Sequence, residues 1–154
     1  MDLELLQIRK ANPIEIDRLI HYQQQMAWET EELELDATIL RKGIQRLFDD
    51  PVKGIYWVFE YENDVIGCVL TLTEWSDWRN GDVLWIHSLF VEKEFRGKGV
   101  FRNVYSTFQD KVRKDAELRG LRLYVEKENI AAQKAYQAVG MTKEHYELYE
   151  WLEE

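Results

Sequence analysis

The chain has 154 residues and a formal net charge of -9, with 45% hydrophobic and 32% charged residues. This length and composition predict one soluble globular domain, residues 1–154, with a core that needs no disulfide or metal. One cysteine excludes an internal disulfide, and three scattered histidines lack the spacing of a metal site, so we expect no bound metal. The acidity argues against nucleic acid and membrane surfaces as partners, because both require a cationic face.

The first third of the chain predicts a short strand and two helices. The strand is expected at 5–11. Residues 12–15, Asn-Pro-Ile-Glu, form a helix start with Asn as the N-cap, and this helix should run to about residue 26. Asp36 can cap a second helix, which the sequence Asp-Asp-Pro at 49–51 stops. The acidic run 29–36 between the helices is expected to be a solvated face.

Three strands are predicted next, at 54–61, 65–75 and 83–91. The first two form a hairpin, and the connection at 76–82 contains the turn dipeptide Asn-Gly. The strand at 83–91 is the most apolar and is therefore expected to lie at the centre of the sheet.

The last third predicts alternating helices and strands. A long helix begins after a glycine-containing turn, and Gly120 is expected to close it. A strand at 121–126, a helix at 129–140 that ends at a glycine, and a last strand at 145–151 follow. This order of elements predicts one α+β domain.

The turn at 96–99, Arg-Gly-Lys-Gly, lies between the most apolar strand and the longest helix. Glycines at a helix N-terminus leave several amide N–H groups accessible, and the helix end adds positive charge, so the turn suits a phosphate or pyrophosphate group. It is not a P-loop, because Val100 and Phe101 follow it, and Arg102 replaces the third glycine of a dinucleotide-binding loop. The alternative is an ordinary strand-to-helix turn with surface charges.

A second motif favours a functional interpretation of the glycine turn. Asn129, Ala132, Tyr136 and Gly140 share roughly one helical face. The pattern V-x-x-x-x-R-G-K-G followed by N-x-x-A-x-x-x-Y-x-x-x-G-M resembles the GNAT superfamily of acyl-CoA-dependent N-acyltransferases. The two motifs cover residues 91–141, whereas residues 1–82 match only in the order of elements.

The resemblance implies a layered α/β/α domain with a mostly antiparallel mixed sheet, splayed at the central strand, and helices on both faces. It also implies acetyl-CoA as co-substrate and transfer of an acetyl group to a primary amine by direct attack in a ternary complex. A different class of function stays open, namely a non-catalytic acyl-CoA-binding sensor or regulatory module.

The resemblance also assigns roles to individual residues. Main-chain groups of Phe90 and Val91 would bind the pantetheine arm where the strands splay, and Asn129 would contact the same arm. Tyr136 would donate a proton to the departing thiolate, or else is a packing residue. The pyrophosphate would bind the loop residues Arg96, Gly97, Lys98, Gly99, Val100 and Phe101. Phe101 departs from the small residue of the family pattern, so its ring must turn away and only its amide can contribute.

The base that deprotonates the amine is harder to assign. His87 lies in the central strand four residues before Val91, with Trp85, Leu89 and Val91 on its face, and an unperturbed histidine titrates near neutrality. It is either the proton acceptor or a hydrogen-bonded core histidine. Glu74 and Asp77 are rival candidates.

The acceptor amine is expected to be cationic, either a small molecule or an exposed protein amine. Trp75 and Trp78 could enclose the cation while Asp77 neutralises it. The alternative is a hairpin in which Asp77 pairs with Arg79 and the tryptophans cover the core. The N-terminus lacks the order of a signal peptide and no apolar run could span a bilayer, so we expect a cytoplasmic protein, with homodimer formation left open.

Overall fold

Five strands form one sheet in the computed structural model, which describes residues 1–153. The strands are β1 (Leu6–Lys10), β2 (Ile55–Tyr61), β3 (Asp64–Ser76), β4 (Gly81–Val91) and β5 (Leu118–Arg122). They lie in chain order across the sheet. The first four strands pair antiparallel with their neighbours, and only β4 and β5 pair parallel. The expected mostly antiparallel mixed sheet is therefore confirmed.

Helices cover both faces of this sheet, which confirms the layered α+β fold. The helices are α1 (Ile16–Glu31), α2 (Ala37–Asp49), α3 (Val100–Lys114) and α4 (Ile130–Ala138). The predicted helix starts are confirmed: Asn12 and Glu15 form a reciprocal capping box, and the Asp36 carboxylate accepts from the amides of Thr38 and Ile39. None of the helices in the described residues is both long and apolar enough to cross a membrane.

Two apolar clusters hold the layers together, one on each face of the sheet. The α1/α2 face buries Leu19 and Tyr22 of α1 against Val58 and Cys68 of the sheet. The α3 face buries residues of α3 against β2, β3 and β4, among them Phe108, Phe59, Val69 and Ile86. Each cluster removes a large apolar area from water, so the sheet is fixed from both sides.

Three of the predicted elements differ in the structure. Gly120 does not close α3, because this helix already ends at Lys114. Gly120 lies within β5, which spans Leu118–Arg122 and not the predicted 121–126. The predicted strand at 145–151 is also wrong, since none of these residues has strand structure. The apolar and polar residues alternate there, yet Tyr146 is 73% exposed and Tyr149 is 89% exposed. A strand needs a neighbour for its backbone hydrogen bonds, and this segment has none among the described residues.

Candidate active site

The glycine turn has the backbone geometry that only glycine adopts easily. Gly97 has a φ of 73° and Gly99 a φ of 88°, both in the left-handed region. Gly99 is the residue before the first turn of α3, and its carbonyl accepts the first helical hydrogen bond, from the amide of Asn103. A Cβ on Gly97 would meet no atom within 4 Å, so the space above this residue is open.

The amides of this turn are free to bind a ligand. Within the described part of the chain, none of the amide N–H groups of residues 97–102 donates a well-formed hydrogen bond to a protein acceptor. Consecutive free amides at the start of a 15-residue helix form a cradle for an anion. The residues present therefore fit the pyrophosphate of a coenzyme.

Of the two cations in the turn, Arg96 is directed away from this cradle. Arg96 donates from Nε to the Val91 carbonyl over 2.7 Å, and its guanidinium pairs with Glu29 at 2.8 Å. Lys98 places its ammonium 5.6 Å from the centre of the Phe95 ring. Arg96 is thus engaged by the end of β4 and by α1, and the free amides are the groups left to bind an anion.

The sheet opens beside the turn. Pairing of β4 with β5 ends at Trp85 and Arg122, so the gap begins there and Val91 lies at its wide end. The amide of Glu92 donates to Ile66 on β3, and the Phe90 carbonyl also points toward β3, where it closely approaches Gly67. Since successive residues of a strand direct their backbone groups to opposite sides, Val91 faces the gap and Phe90 does not. Of the two predicted residues, only Val91 presents its main chain to a ligand in the gap.

The second sequence motif packs directly on the first. The Tyr136 ring lies 5.3 Å from the Phe101 ring, which itself stacks on Tyr105 of α3. The Phe101 ring therefore packs between Tyr136 and Tyr105, and its amide is the only group of this residue that can bind the loop's ligand. Burial raises the pKa of the Tyr136 hydroxyl, which stays protonated at neutral pH and has no hydrogen-bond partner in residues 1–153. Asn129 caps α4, because its side-chain oxygen accepts from the amide of Ala132 over 3.1 Å, and its NH₂ group remains available as a donor.

His87 lies at the narrow end of the gap and bonds a tyrosine across it. His87 and Ser88 together stand opposite one residue of β3, because the register shifts between Val69 and Thr71. This bulge reverses the alternation, so Leu89 and Val91 pack toward α3 while His87 faces α1 and α2, contrary to the shared face expected from the sequence. His87 Nε2 lies 2.7 Å from the Tyr124 hydroxyl. Burial lowers the pKa of its imidazole, which favours the neutral ring.

The comparisons with known proteins agree with this geometry. The model of the acetyltransferase (GNAT) family matches residues 15–141. A crystal structure described as a possible acetyltransferase from Clostridium difficile 630 is 40% identical, with a TM-score of 0.89, over 96% of this chain and 97% of that one. The chain belongs to the GNAT family of acetyltransferases. No protein of curated function matches the sequence significantly.

More distant structures share the fold of this acetyltransferase. The aminoglycoside N-acetyltransferase AAC(6')-Iy in complex with CoA is 15% identical with a TM-score of 0.75, covering 96% of this chain and 94% of that one. An aminoglycoside acetyltransferase from an uncultured soil metagenomic sample, in complex with sisomicin, is 14% identical with a TM-score of 0.73 and covers 99% of both chains. At these identities the likeness concerns the fold alone.

The acetyltransferase does not bring the predicted acceptor residues to the coenzyme turn. Trp75 pairs with Asp82 at the far end of β4, nine residues from Val91 and therefore about 30 Å away. Trp75 is 59% exposed and Trp78 is 86% exposed. Asp77 and Arg79 do not form an ion pair within the residues described: the Asp77 carboxylate accepts from the amide of Trp78, and Arg79 donates to the Ser76 hydroxyl. The exposed tryptophans do not cover the core, and the ion pair of the structural alternative is not formed in the described residues.

Two residues near the site were missed in the sequence. Glu29 was assigned to a solvated acidic run, yet it binds both Arg96 at 2.8 Å and Lys93 at 3.4 Å. Tyr124 was one aromatic residue of a predicted strand, and only the parallel register of β4 and β5 places it beside His87. No local pattern reports either contact, because both join segments far apart in the chain.

Proposed function

We propose that this acetyltransferase transfers an acetyl group from acetyl-CoA to a primary amine, by direct attack within a ternary complex. The observation that carries the proposal is the run of free amides at 97–102 beside the open end of β4, with the Tyr136 ring against the same loop. The free amides suit the phosphates of the coenzyme, the unpaired strand edge offers a main-chain amide for the thioester carbonyl, and the hydroxyl of Tyr136 can supply the proton that the departing thiolate needs.

The coenzyme would be held at the wide end of the gap. Residues 97–102 would bind the pyrophosphate through backbone amides, and Val91 and Asn129 would hold the pantetheine arm. Bound acetyl-CoA supplies an acyl group activated as a thioester. Because Arg96 already occupies the Val91 carbonyl, the amide of Val91 is the main-chain group left for the arm.

Three side chains support direct transfer. Tyr136 has a protonated hydroxyl that can give its proton to a departing thiolate. His87 has a neutral imidazole at the other end of the gap that can take a proton from the amine. Cys68 is the single cysteine, fully buried, and burial raises the pKa of its thiol to about 12. It cannot serve as a covalent acyl carrier, which favours attack by the amine itself.

The acceptor class follows from charge. The chain carries a net charge of -9, which draws cationic molecules to the protein and disfavours anionic ones. Two proteins of the same fold carry aminoglycoside acetyltransferase in their names, and aminoglycosides are polycationic amines. We therefore propose a cationic amine, as a small molecule or on an exposed protein side chain, as the acceptor.

The decisive experiment is an amine screen with the purified protein and acetyl-CoA. Release of the coenzyme thiol is followed colorimetrically, and the acetylated amine is identified by mass spectrometry. The expected result is thiol release that depends on a cationic amine. Tight acetyl-CoA binding without turnover of any amine would instead favour the acyl-CoA-binding module.

A further inference from the structure

The gap between β4 and β5 is bridged by side chains at its narrow end. The last backbone pair is Trp85 with Arg122. Two residues beyond this pair lie His87, within β4, and Tyr124, past the end of β5. Their side chains meet through a 2.7 Å contact between Nε2 and the hydroxyl, with ring centres 5.5 Å apart and planes at 87°. A specific hydrogen bond thus occupies the position where the next backbone pair would have been.

The second ring nitrogen permits a direction of this hydrogen bond that leaves Nε2 as the acceptor. His87 Nδ1 lies 3.0 Å from the Ser88 hydroxyl oxygen. In a neutral imidazole one nitrogen donates and the other accepts. If the Tyr124 hydroxyl donates to Nε2, Nδ1 carries the hydrogen and donates to Ser88, so both nitrogens are satisfied. His87 is then a neutral base whose accepting nitrogen is reached through Tyr124.

The charges around Tyr124 suit a cation. Its side chain is 53% exposed, and the Trp85 ring lies 5.9 Å away. Burial, together with the negative charges of Glu150 and Glu31, raises the pKa of its hydroxyl. The nearby cation Arg122 is already paired with Glu74 at 2.6 Å. The acidic residues whose charge acts on Tyr124 are Glu31, at the end of α1, and Glu150, in the C-terminal segment.

We propose that the Tyr124 hydroxyl binds the acceptor amine and relays its proton to His87, with Glu31 and Glu150 selecting a cationic acceptor. This inference rests on the proposed acetyltransferase function and assigns its acceptor side. It replaces the cluster of Trp75, Asp77 and Trp78 as the amine site.

The proton relay balances without any further reactant. One N–H bond of the ammonium breaks, and its proton forms a new O–H bond on Tyr124. The original hydroxyl proton of Tyr124 passes to His87 Nε2. The products are a neutral amine with a free lone pair, an intact tyrosine and an imidazolium, which later loses its proton to solvent. Tyr124 remains protonated throughout, in keeping with the environment that disfavours its phenolate.

Turnover tests the relay. Tyr124→Phe keeps the ring and removes the hydroxyl, so kcat should fall about 10²-fold while the acetyl-CoA Kd stays unchanged. Tyr149→Phe, on the 89% exposed Tyr149 of the C-terminal segment, is the matched control and should retain wild-type turnover.

His87→Gln should lower kcat by a similar factor and remove the acidic limb of the pH profile of kcat/KM. The double variant should be no slower than the slower single variant, because both residues act in one relay. Additive losses, or a fully active Tyr124→Phe variant, would overturn the relay.

Binding tests the acceptor site independently of turnover. The probes are an alkyl diamine, the alkyl monoamine of equal length and the amino carboxylate of equal length, titrated by calorimetry into the protein saturated with CoA. The dication should bind tightest, and Glu31→Gln and Glu150→Gln should each weaken it severalfold. Asp77→Asn is the competing variant. If Asp77→Asn weakens diamine binding and the two glutamate variants do not, the inference is wrong and the sequence-predicted acceptor site is correct.

The turnover and binding experiments distinguish a failure of the relay from a failure of the proposed acetyltransferase function. A wild-type protein that binds acetyl-CoA and diamine but acetylates no amine contradicts the proposed function, and the binding variants still decide whether the cation site is at Tyr124. A wild-type protein that acetylates amines, together with an unaffected Tyr124→Phe variant, contradicts only the relay.

Discussion

An ion pair between Arg96 and Glu29 joins the glycine turn at 96–99 to the end of α1. The guanidinium of Arg96 lies 2.8 Å from the Glu29 carboxylate, donates to the Val91 carbonyl over 2.7 Å and lies 5.3 Å from the centre of the Phe90 ring. One side chain thus connects the turn, the last residue of β4 and a helix of the opposite layer. The arginine of the sequence motif positions the amides of the turn, which are the groups that face the open space.

Arg96→Lys should lower stability, because an ammonium cannot hold the Val91 carbonyl and the Glu29 carboxylate in the fixed geometry of a guanidinium. We expect the free energy of unfolding to fall by about 1 kcal/mol, a modest value because both partners are partly exposed. Glu29→Gln should lower the free energy of unfolding by less, because the hydrogen bond from Arg96 to the Val91 carbonyl remains. Urea titration measures both. Glu34→Gln, on the same acidic run but outside the ion pairs of the described chain, is the control and should change nothing. An Arg96→Lys variant as stable as wild type would contradict this role.

Gly97→Asp should weaken acetyl-CoA binding through charge. Asp and Asn both tolerate the left-handed backbone at this position, and a Cβ there meets no atom within 4 Å. The carboxylate would lie beside the pyrophosphate, so we expect the Kd to rise about tenfold or more. Gly97→Asn, with nearly the same shape and no charge, should stay close to wild type. Calorimetry at two salt concentrations checks both, because the difference should shrink at high salt. Equal affinities for the two variants would place the phosphates elsewhere.

Tyr136→Phe should reduce turnover and spare affinity. The ring contact with Phe101 at 5.3 Å is kept while the proton donor is lost. We expect kcat to fall about 10²-fold, with an unchanged Kd for acetyl-CoA. Tyr105→Phe is the matched control, because Tyr105 packs on the same Phe101 ring. If the two variants behave alike in steady-state kinetics, Tyr136 is a packing residue.

His87 should contribute to the pH dependence of stability. Burial lowers the pKa of its imidazole below the ordinary value of 6.5. Between the folded and unfolded pKa values the unfolded chain binds more protons, so the free energy of unfolding should fall as the pH drops below about 6.5. His87→Gln should remove this part of the pH dependence. NMR titration of the imidazole, with urea titrations from neutral to mildly acidic pH, measures both effects. An imidazole that titrates above 6.5 would contradict the expectation.

The local elements and the coenzyme turn could be predicted from the sequence because their causes are local. Asn12 and Asp36 begin helices through hydrogen bonds to amides two or three residues away. Gly97 and Gly99 take up left-handed backbone that other residues resist, and a helix follows them directly. The proposed phosphate site consists of consecutive amides, so a single stretch of chain was enough to predict its position.

What the tertiary structure decided depends on pairs of distant segments. The parallel register of β4 and β5, which ends at Trp85 and Arg122, fixes where the sheet opens and brings Tyr124 to His87. The bulge at His87 turns the imidazole to the α1/α2 face. Strict alternation along the strand had placed His87 on the same face as Leu89 and Val91, which is wrong. Arg96 reached Glu29 instead of facing the ligand space because α1 passes behind the turn. Register and layer packing are set by the burial of whole faces of the sheet, a property of the assembled domain that no single stretch of sequence carries.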